Sequence, residues 1–122
     1  VVPYAAPLFT LITITMNNLA GLQKTAASVL EQTCSDFEWI IIDGASKDGT
    51  LAFLESLPKP ENFTQVSEPD NGLYDAMNKG IDRAQGHFLL FLNAGDCLAD
   101  KNTLEKIKSE LPFFFVTSII AV

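Results

Sequence analysis

Cysteine is scarce in this sequence, and long hydrophobic runs are missing. Only two cysteines, Cys34 and Cys97, occur among 122 residues, and they lack a metal-ligand spacing such as Cys-x-x-Cys. A disulfide framework is excluded, and we expect free thiols in a reducing compartment. No apolar run approaches the roughly 20 residues that span a bilayer, and no charged segment precedes "VVPYAAPLF". These absences argue against membrane insertion and secretion.

Basic residues are also few. Eight Lys and Arg face fifteen Asp and Glu, which gives a net charge of −7. Because phosphate-backbone binding needs clustered basic side chains, nucleic acid is not expected as the main partner. An anionic ligand remains compatible with this charge if a cation bridges it to the protein. The apolar content of 48% is enough for one compact core, so residues 1–122 are predicted to form a single domain.

Short apolar runs alternate with segments of helical spacing. Strands are predicted for the runs at 8–15, 37–43, 63–67, 87–92 and 113–122. Helices are predicted at about 19–32, 51–57, 73–86 and 103–111. The Asn pair "NN" is expected to cap the first helix, and Asn102 with Glu105 predicts a capping box on the last. This alternation predicts an α/β fold with βαβ crossovers and a mainly parallel, doubly wound sheet.

In such a sheet, ligands bind beyond the carboxyl ends of the strands. The polar side chains predicted there are Thr15, Asn17, Asp43, Ser46, Glu68, Asp70, Asn93 and Asp96. Several carboxylates on one edge repel each other, and a divalent cation would relieve that repulsion. Mg²⁺ or Mn²⁺ prefers oxygen ligands and is often held by one or two carboxylates, with water and phosphate completing the shell. Asp96 suits this role because its neighbours Ala94 and Gly95 are small.

Each of these features also has a purely structural interpretation. Asp96 is equally suited to capping a turn, and Asp48 or Ser46 to capping the helix that follows "DGASKDGT". The Asp-Asn-Gly sequence at 70–72 is ordinary turn chemistry. The single histidine, His87, heads a strand far in sequence from any cysteine, which favours a structural or surface role, and Met77 belongs to a core-facing stripe. The joint occurrence of polar residues at successive strand ends is what favours a binding site.

Three segments together resemble a known family. "LITITMNNLAGLQKTAASVLEQTCSDFEWIIIDGASKDGT", "SEPDNGLYDAMNKGI" and "AQGHFLLFLNAGD" are similar to consecutive signature blocks of family 2 glycosyltransferases with the GT-A fold. The similarity is greatest to bacterial enzymes of exopolysaccharide and O-antigen assembly, including those of colanic acid synthesis, and it extends from Leu8 to about Leu111. The resemblance implies a Rossmann-like three-layer α/β/α sandwich.

The resemblance also implies a cytoplasmic enzyme, at most peripherally associated with the inner face of the cell membrane. It would transfer a sugar from a nucleoside-diphosphate sugar to a saccharide or lipid-linked acceptor in cell-surface polysaccharide biosynthesis, with inversion at the anomeric carbon. The residues implied for nucleotide-sugar binding are Thr15, Asn17, Asp43, Ser46, Asp75, Asn78, Lys79 and Asn93. Asp96 is implied as the ligand of Mg²⁺ or Mn²⁺.

The sequence departs from the family pattern in several places. Many relatives carry further acids in the metal motif, where this chain has Asn93 and Gly95, and an aromatic residue where it has Met16. The family's general base lies in a segment after the metal motif, and residues 112–122 no longer resemble the family. We therefore expect a truncated N-terminal part of a longer family domain, with no catalytic base assigned. A non-catalytic nucleotide- or metal-binding fragment remains the alternative.

Two other classes are disfavoured. A phosphoacceptor signalling domain has similar length, but it needs acids after the first strand and a lysine in the last, and "TMNN" and "PFFFVTSIIAV" provide neither. A dinucleotide oxidoreductase needs a Gly-x-Gly-x-x-Gly turn that "TMNNLAGL" lacks.

Overall fold

The computed structural model describes residues 6–111 and the backbone of 120–121. Strands and helices alternate along the chain: β1 (Phe9–Thr15), α1 (Leu19–Leu30), β2 (Phe37–Asp43), α2 (Thr50–Ser56), β3 (Phe63–Ser67), α3 (Leu73–Arg83), β4 (Phe88–Phe91), α4 (Thr103–Glu110) and β5 (Ile120–Ala121). The predicted order of elements is confirmed. Among the described residues, no helix is long and apolar enough to cross a membrane.

The strands form one parallel sheet in the order β3-β2-β1-β4-β5. Strand β1 therefore lies between β2 and β4. Every residue of β2 is buried, as expected for an inner strand whose two faces are both covered by helices. The last predicted strand, 113–122, falls largely outside the described residues, and only Ile120–Ala121 is seen to pair, with β4.

The core divides into two layers on opposite faces of the sheet. Alternate residues of β1 and β2 pack with α1, α2 and α4 in the larger layer; its members include Phe9, Leu11, Leu22, Val29, Trp39, Ile41, Leu54, Leu90 and Leu104. The intervening residues of β2 pack with Ala76 of α3 in the smaller layer, as Ile40 and Ile42 do. Because successive side chains of a strand point to opposite faces of the sheet, alternate residues pack against the helices on one face or on the other. This arrangement confirms the three-layer α/β/α prediction.

Helix α1 begins as predicted, with Asn18 as its N-cap: the Oδ1 of Asn18 accepts from the N–H of Gly21 at 3.1 Å. The capping-box prediction for α4 is wrong. The Asn102 side chain makes no capping hydrogen bond, and its Oδ1 instead accepts from the Thr33 hydroxyl at 3.0 Å. The N–H of Leu104, which has no partner within the first turn of α4, donates to Gln32 Oε1 at 3.1 Å. A side chain from the segment just after α1 therefore replaces the local cap of α4.

A buried carboxylate fixes the opposite edge of the sheet, where the strands begin. Glu38 Oε2 accepts from the Thr10 hydroxyl at 2.7 Å and from the N–H of Gly86 at 3.0 Å. The N–H of Gly86 also reaches Thr10 Oγ1 at 2.9 Å. Because Glu38 is buried, these donors offset the cost of removing its charge from water. The turn that leads from α3 into β4 is held by this network.

Candidate active site

The carboxyl ends of the strands meet at one edge of the sheet. Thr15 of β1 is in register with Asp43 of β2, and Asp43 is in register with Ser67 of β3. On the other side of β1, the N–H of Ala94 donates to the carbonyl of Ile14 at 2.9 Å, which brings the loop after β4 to the same edge. The loops that follow β2 and β4 therefore both border the end of β1.

Asp43 is the central polar group of this edge. Only 1% of the residue is exposed, and both carboxylate oxygens accept hydrogen bonds from the chain. The donors are the N–H of Ser46 at 3.3 and 3.2 Å, the Ser46 hydroxyl, and the Ser67 hydroxyl at 2.7 Å. Hydrogen bonds to an ionised carboxylate are among the strongest in proteins, so this set stabilises a buried charge. Asp43 thereby connects the ends of β2 and β3.

The loop after β1 is attached to the loop after β2. The N–H of Asn17 donates to Ser46 Oγ at 2.8 Å, and the N–H of Lys47 donates to Asn17 Oδ1 at 2.8 Å. Asn17 adopts a left-handed conformation with φ of 48°, which asparagine tolerates better than most residues. The predicted site residues Asn17, Asp43 and Ser46 are thus brought together in one hydrogen-bonded unit.

Asp48 joins this loop to the start of α1. Its Oδ1 accepts from the Thr50 hydroxyl at 2.6 Å, and its Oδ2 accepts from the N–H of Leu19 at 2.9 Å. The hydrogen bond from the Thr50 side chain is the main cause that lowers the pKa of Asp48 below its usual 3.8. These partners stabilise the charged form of Asp48. The prediction that Asp48 caps the following helix is not confirmed: the N-cap of α2 is Gly49, which lacks a side-chain capping hydrogen bond, although Asp48 Oδ1 also accepts from the N–H of Thr50 at 3.3 Å.

Acidification is expected to weaken this attachment. A carboxyl group whose pKa is lower in the folded state than in the unfolded state stabilises the fold. This stabilisation is fully present at pH values above the unfolded-state pKa, and it is lost as the pH falls through the folded-state pKa. We expect Asp48→Asn to be less stable than wild type at pH 7, and we expect the difference to shrink as pH falls below 3.8. Urea denaturation at pH 7, 4 and 2.5 measures this difference. Asp82→Asn, an exposed acid on α3, is the control; a constant difference for Asp48→Asn at all three pH values would contradict the expectation.

Asp96 lies in a tight turn that follows β4. Its Oδ2 accepts from the N–H of Asn93 at 3.0 Å, and its own N–H donates to the Asn93 carbonyl at 2.8 Å. The turn-capping interpretation of Asp96 is therefore correct. The second carboxylate oxygen, Oδ1, accepts no hydrogen bond from the described part of the chain, and the residue is exposed. Capping the turn consequently leaves one oxygen available to a ligand.

The surroundings of Asp96 fit a cation that arrives with its ligand. Within residues 6–111, no group of three or more His, Cys, Asp or Glu side chains is placed to hold a metal. A Cβ added at Gly95 would meet no atom of the described part of the chain within 4 Å, so the turn is open on that side with respect to those residues. Mg²⁺ and Mn²⁺ sites of one carboxylate depend on phosphate and water for the other ligands. Asp96 fits such a shared site better than a permanent one.

A cavity of about 220 Å³ lies beside the end of β1. It is lined by Ile14, Thr15, Met16, Asp70, Gly72, Leu73 and Ala76. Thr15 is 2% exposed, and its buried hydroxyl has no hydrogen-bond partner among the residues that the structure describes. Asn93 Oδ1, at the end of β4, is likewise buried without a partner. Unpaired buried polar atoms are rare in folded proteins, and two at neighbouring strand ends indicate a place for a polar ligand.

The predicted site residues of α3, which are Asp75, Asn78 and Lys79, are not among the residues that line this cavity. Lys79 Nζ forms ion pairs with Glu68 at 3.1 Å and Asp75 at 3.8 Å, and it donates to the Pro69 carbonyl at 3.0 Å. Asp75 Oδ2 also accepts from the N–H of Asn71 at 2.9 Å. Asn78 is exposed on the same helix. Their roles in nucleotide-sugar binding stay predictions.

Sequence reasoning missed several residues of the site. Ile14, Leu73 and Ala76 line the cavity although they were interpreted only as strand and helix residues. Ser67 was not singled out, although a hydroxyl at the end of a strand beside Asp43 is a recognisable signal. Asp70, which the sequence places both among the polar residues at strand ends and in turn chemistry, does line the cavity, and its Oδ1 accepts from the N–H of Gly72 at 3.0 Å.

Comparisons of the sequence identify relatives. The family model for glycosyl transferase family 2 matches residues 10–112. The PGL/p-HBAD biosynthesis glycosyltransferase of Mycobacterium bovis is 42% identical over 105 residues, covering 84% of this chain and 41% of that protein. The putative teichuronic acid biosynthesis glycosyltransferase TuaG of Bacillus subtilis is 33% identical, covering 92% of this chain and 44% of that protein. This chain spans about two fifths of the length of these relatives.

Solved structures share the fold. A crystal structure of S. aureus TarS has a TM-score of 0.79 at 24% identity and covers 87% of this chain and 32% of that chain. The mannosyltransferase PcManGT from Pyrobaculum calidifontis, in complex with GDP-Man and Mn²⁺, has a TM-score of 0.70 at 26% identity and covers 84% of this chain and 31% of that chain. With a family match over most of its length and this shared fold, the chain belongs to glycosyltransferase family 2 and has the GT-A fold.

Proposed function

We propose that the chain is the nucleotide-sugar-binding part of a transferase that moves a sugar from a nucleoside-diphosphate sugar to a saccharide or lipid-linked acceptor. The observation that carries this proposal is the cavity at the end of β1, with its unpaired Thr15 hydroxyl and the open Asp96 turn on the neighbouring strand. The structural relative PcManGT binds GDP-Man and Mn²⁺, which supports a nucleoside-diphosphate sugar as the ligand class.

The biological setting is proposed from the named relatives. TuaG is described as a putative enzyme of teichuronic acid biosynthesis, which supports a role in cell-surface polysaccharide assembly. We place the protein in the cytoplasm, at most peripherally associated with the inner face of the membrane, where nucleotide sugars are available. Transfer with inversion is part of this proposal.

Each side of the edge would contact a different part of the donor. The nucleoside would be held by Thr15, Asn17, Asp43 and Ser46. The hydrogen bonds that join Asn17, Asp43 and Ser46 keep this part of the site rigid. Asn93, with its unpaired side-chain oxygen, is suited to a ribose hydroxyl. A preorganised site of this kind costs little reorganisation on binding, so more of the binding energy is retained as affinity.

Charge decides how the donor would be activated. Breaking the bond to the sugar builds negative charge on the diphosphate, and Asp96 would hold Mg²⁺ or Mn²⁺ beside it. When bound, the cation acts as a Lewis acid that stabilises the departing diphosphate. This stabilisation is larger in the transition state than in the ground state. On α3, Asp75 and Asn78 would approach the donor. Lys79 would contact a phosphate after exchanging its acidic partners.

The acceptor hydroxyl also needs a base to take its proton as it attacks. We assign this role to no described residue, and the family resemblance places it after the Asp96 turn. The second candidate function is a nucleotide- or metal-binding fragment without catalysis, because no described residue is assigned as the base. An in-frame genomic continuation that carries an acidic base motif would favour the transferase; a stop codon after Val122 would favour the fragment.

Calorimetric titration of the chain with UDP, GDP and dTDP, each with and without Mn²⁺, tests the proposed site. We expect at least one nucleotide to bind more tightly with Mn²⁺, and we expect Asp96→Ala to weaken that binding by about tenfold or more, equivalent to about 1.4 kcal/mol. The cause is loss of the carboxylate that joins the cation to the protein.

Asp82→Ala is the matched control, because it removes one exposed acid from α3 and leaves the strand ends unchanged. It is expected to bind like wild type. Nucleotide binding that needs no metal and is unchanged in Asp96→Ala would overturn the metal site. No binding of any of the three nucleotides would overturn the proposed function.

A further inference from the structure

We propose that Thr25, in the middle of α1, is a positioning residue that holds the turn carrying Asp96 in its metal-binding geometry. This inference rests on the proposed function, because it concerns how the cation ligand is held. Thr25 touches neither nucleotide nor metal in this proposal. It acts through the backbone of the turn.

The Thr25 hydroxyl is bonded to the turn on both sides of Ala94. It accepts from the N–H of Gly95 at 2.9 Å, and it lies 3.2 Å from the carbonyl of Asn93 and 3.2 Å from the carbonyl of Gly21. A hydroxyl has one proton, so it donates to one of these carbonyls at a time while accepting from Gly95. Thr25 therefore connects a residue 70 positions later in the chain to α1.

The neighbouring polar side chains of α1 extend this contact along the same segment. Asn18 Nδ2 donates to the carbonyl of Ala94 at 3.3 Å, and Ser28 Oγ accepts from the N–H of Leu98 at 3.2 Å. Asn18, Thr25 and Ser28 are spaced so that they share one face of the helix. Helix α1 thus serves as a template for the loop after β4, and Thr25 is the member that contacts the turn of Asp96 itself.

The sheet cannot hold this turn alone. The ladder between β1 and the loop ends where the N–H of Ala94 meets the carbonyl of Ile14. Beyond that point, Gly95 has φ of 105°, a left-handed conformation, and its N–H is bonded to Thr25. Thr25 is fully buried, so water would not readily replace a lost bond there. Removal of the hydroxyl would leave the Gly95 N–H unpaired and let the turn shift.

Paired substitutions separate positioning from general stability. Thr25→Val keeps the branched shape and removes the hydroxyl, whereas Thr25→Ser keeps the hydroxyl and removes the methyl group. In the calorimetric titration with Mn²⁺ and UDP, GDP or dTDP, we expect Thr25→Val to weaken the metal-dependent binding by about tenfold, the size typical of outer-shell changes at metal sites. Thr25→Ser is expected to retain the metal-dependent binding of wild type. Metal-free nucleotide binding is expected to change less than metal-dependent binding in Thr25→Val, because the only ligand assigned to the nucleoside in this turn is Asn93.

Ser28→Ala is the structural control. It removes a hydroxyl from the same face of α1 and frees the N–H of Leu98, which lies beyond the Asp96 turn. We expect it to lower the free energy of unfolding and to leave the metal dependence of binding unchanged. Equal loss of metal dependence in Ser28→Ala and Thr25→Val would assign the effect to stability and overturn the inference.

Amide hydrogen exchange gives a readout that needs no ligand. The N–H of Gly95 is expected to exchange faster in Thr25→Val than in wild type, and Thr25→Ser is expected to retain protection. Unchanged exchange at Gly95, or metal-dependent binding retained in Thr25→Val, would overturn this inference alone. Absence of metal-dependent binding in wild type would instead overturn the proposed metal site and, with it, the role of Thr25 there.

Discussion

Replacement of Asp43 by alanine is expected to destabilise the protein by about 3 kcal/mol, because it removes a buried carboxylate and leaves its several donors without their acceptor. The N–H of Ser46 and the hydroxyls of Ser46 and Ser67 all donate to this carboxylate. The loop that carries Ser46 also holds Asn17, so the loops after β1 and β2 are expected to loosen together. Equilibrium denaturation in urea measures the loss, and nucleotide titration measures the accompanying loss of affinity.

Two milder variants provide the comparison. Asp43→Asn keeps one acceptor oxygen, so it is expected to lose less stability than Asp43→Ala. Ser67→Ala removes a single hydroxyl donor and is expected to cost about 1 kcal/mol. If Asp43→Ala were as stable as Ser67→Ala, the carboxylate would not be the centre of this network.

Gly86→Ala is expected to be similarly destabilising, by about 3 kcal/mol, for a steric reason. A Cβ at Gly86 would lie 2.6 Å from Thr10 Oγ1 and 2.7 Å from the backbone carbon of Phe9 and nitrogen of Thr10. Two of these atoms belong to the backbone of β1, which cannot move without disturbing the sheet. The substitution would also strain the hydrogen bonds from Gly86 to Glu38 and Thr10.

The adjacent exposed residue offers a matched control for Gly86. Gln85→Ala changes a side chain on the same turn and keeps the backbone N–H groups, so it is expected to change stability by less than about 0.5 kcal/mol. Both variants are measured by urea denaturation. A Gly86→Ala protein within that same margin of wild type would contradict the close approach of this turn to β1.

The two largest expected losses of stability, those of Asp43→Ala and Gly86→Ala, occur at opposite edges of the sheet, and each involves a buried carboxylate. Glu38 fixes the edge where the strands begin, and Asp43 fixes the edge where they end. Both are paired with several donors, which is the condition under which a buried charge is tolerated. Function is proposed only at the Asp43 edge, because the cavity and the unpaired polar atoms of Thr15 and Asn93 occur there.

Local sequence patterns were sufficient for the order of elements. The nearly continuous apolar run of β2 predicts a strand covered on both faces, and β2 is buried throughout. The Asn18 cap of α1 also agrees with the structure. The apolar stripe of α3 agrees only in part, because Ala76 and Gly80 are buried whereas Leu73 and Ile81 are exposed. The capping box of α4 failed because Gln32, far away in sequence, supplies the acceptor that a local cap would have given.

The sequence by itself determined the fold class and the presence of polar residues at strand ends, because burial periodicity and turn chemistry are local properties. Only the tertiary structure decided the contacts of those residues: Asp43 is enclosed by Ser46 and Ser67, Lys79 is paired with acids, and Thr25 holds the turn of Asp96. Such contacts join residues tens of positions apart, and they depend on the order of the strands. Placing β1 between β2 and β4 is what brings these loops to the same edge.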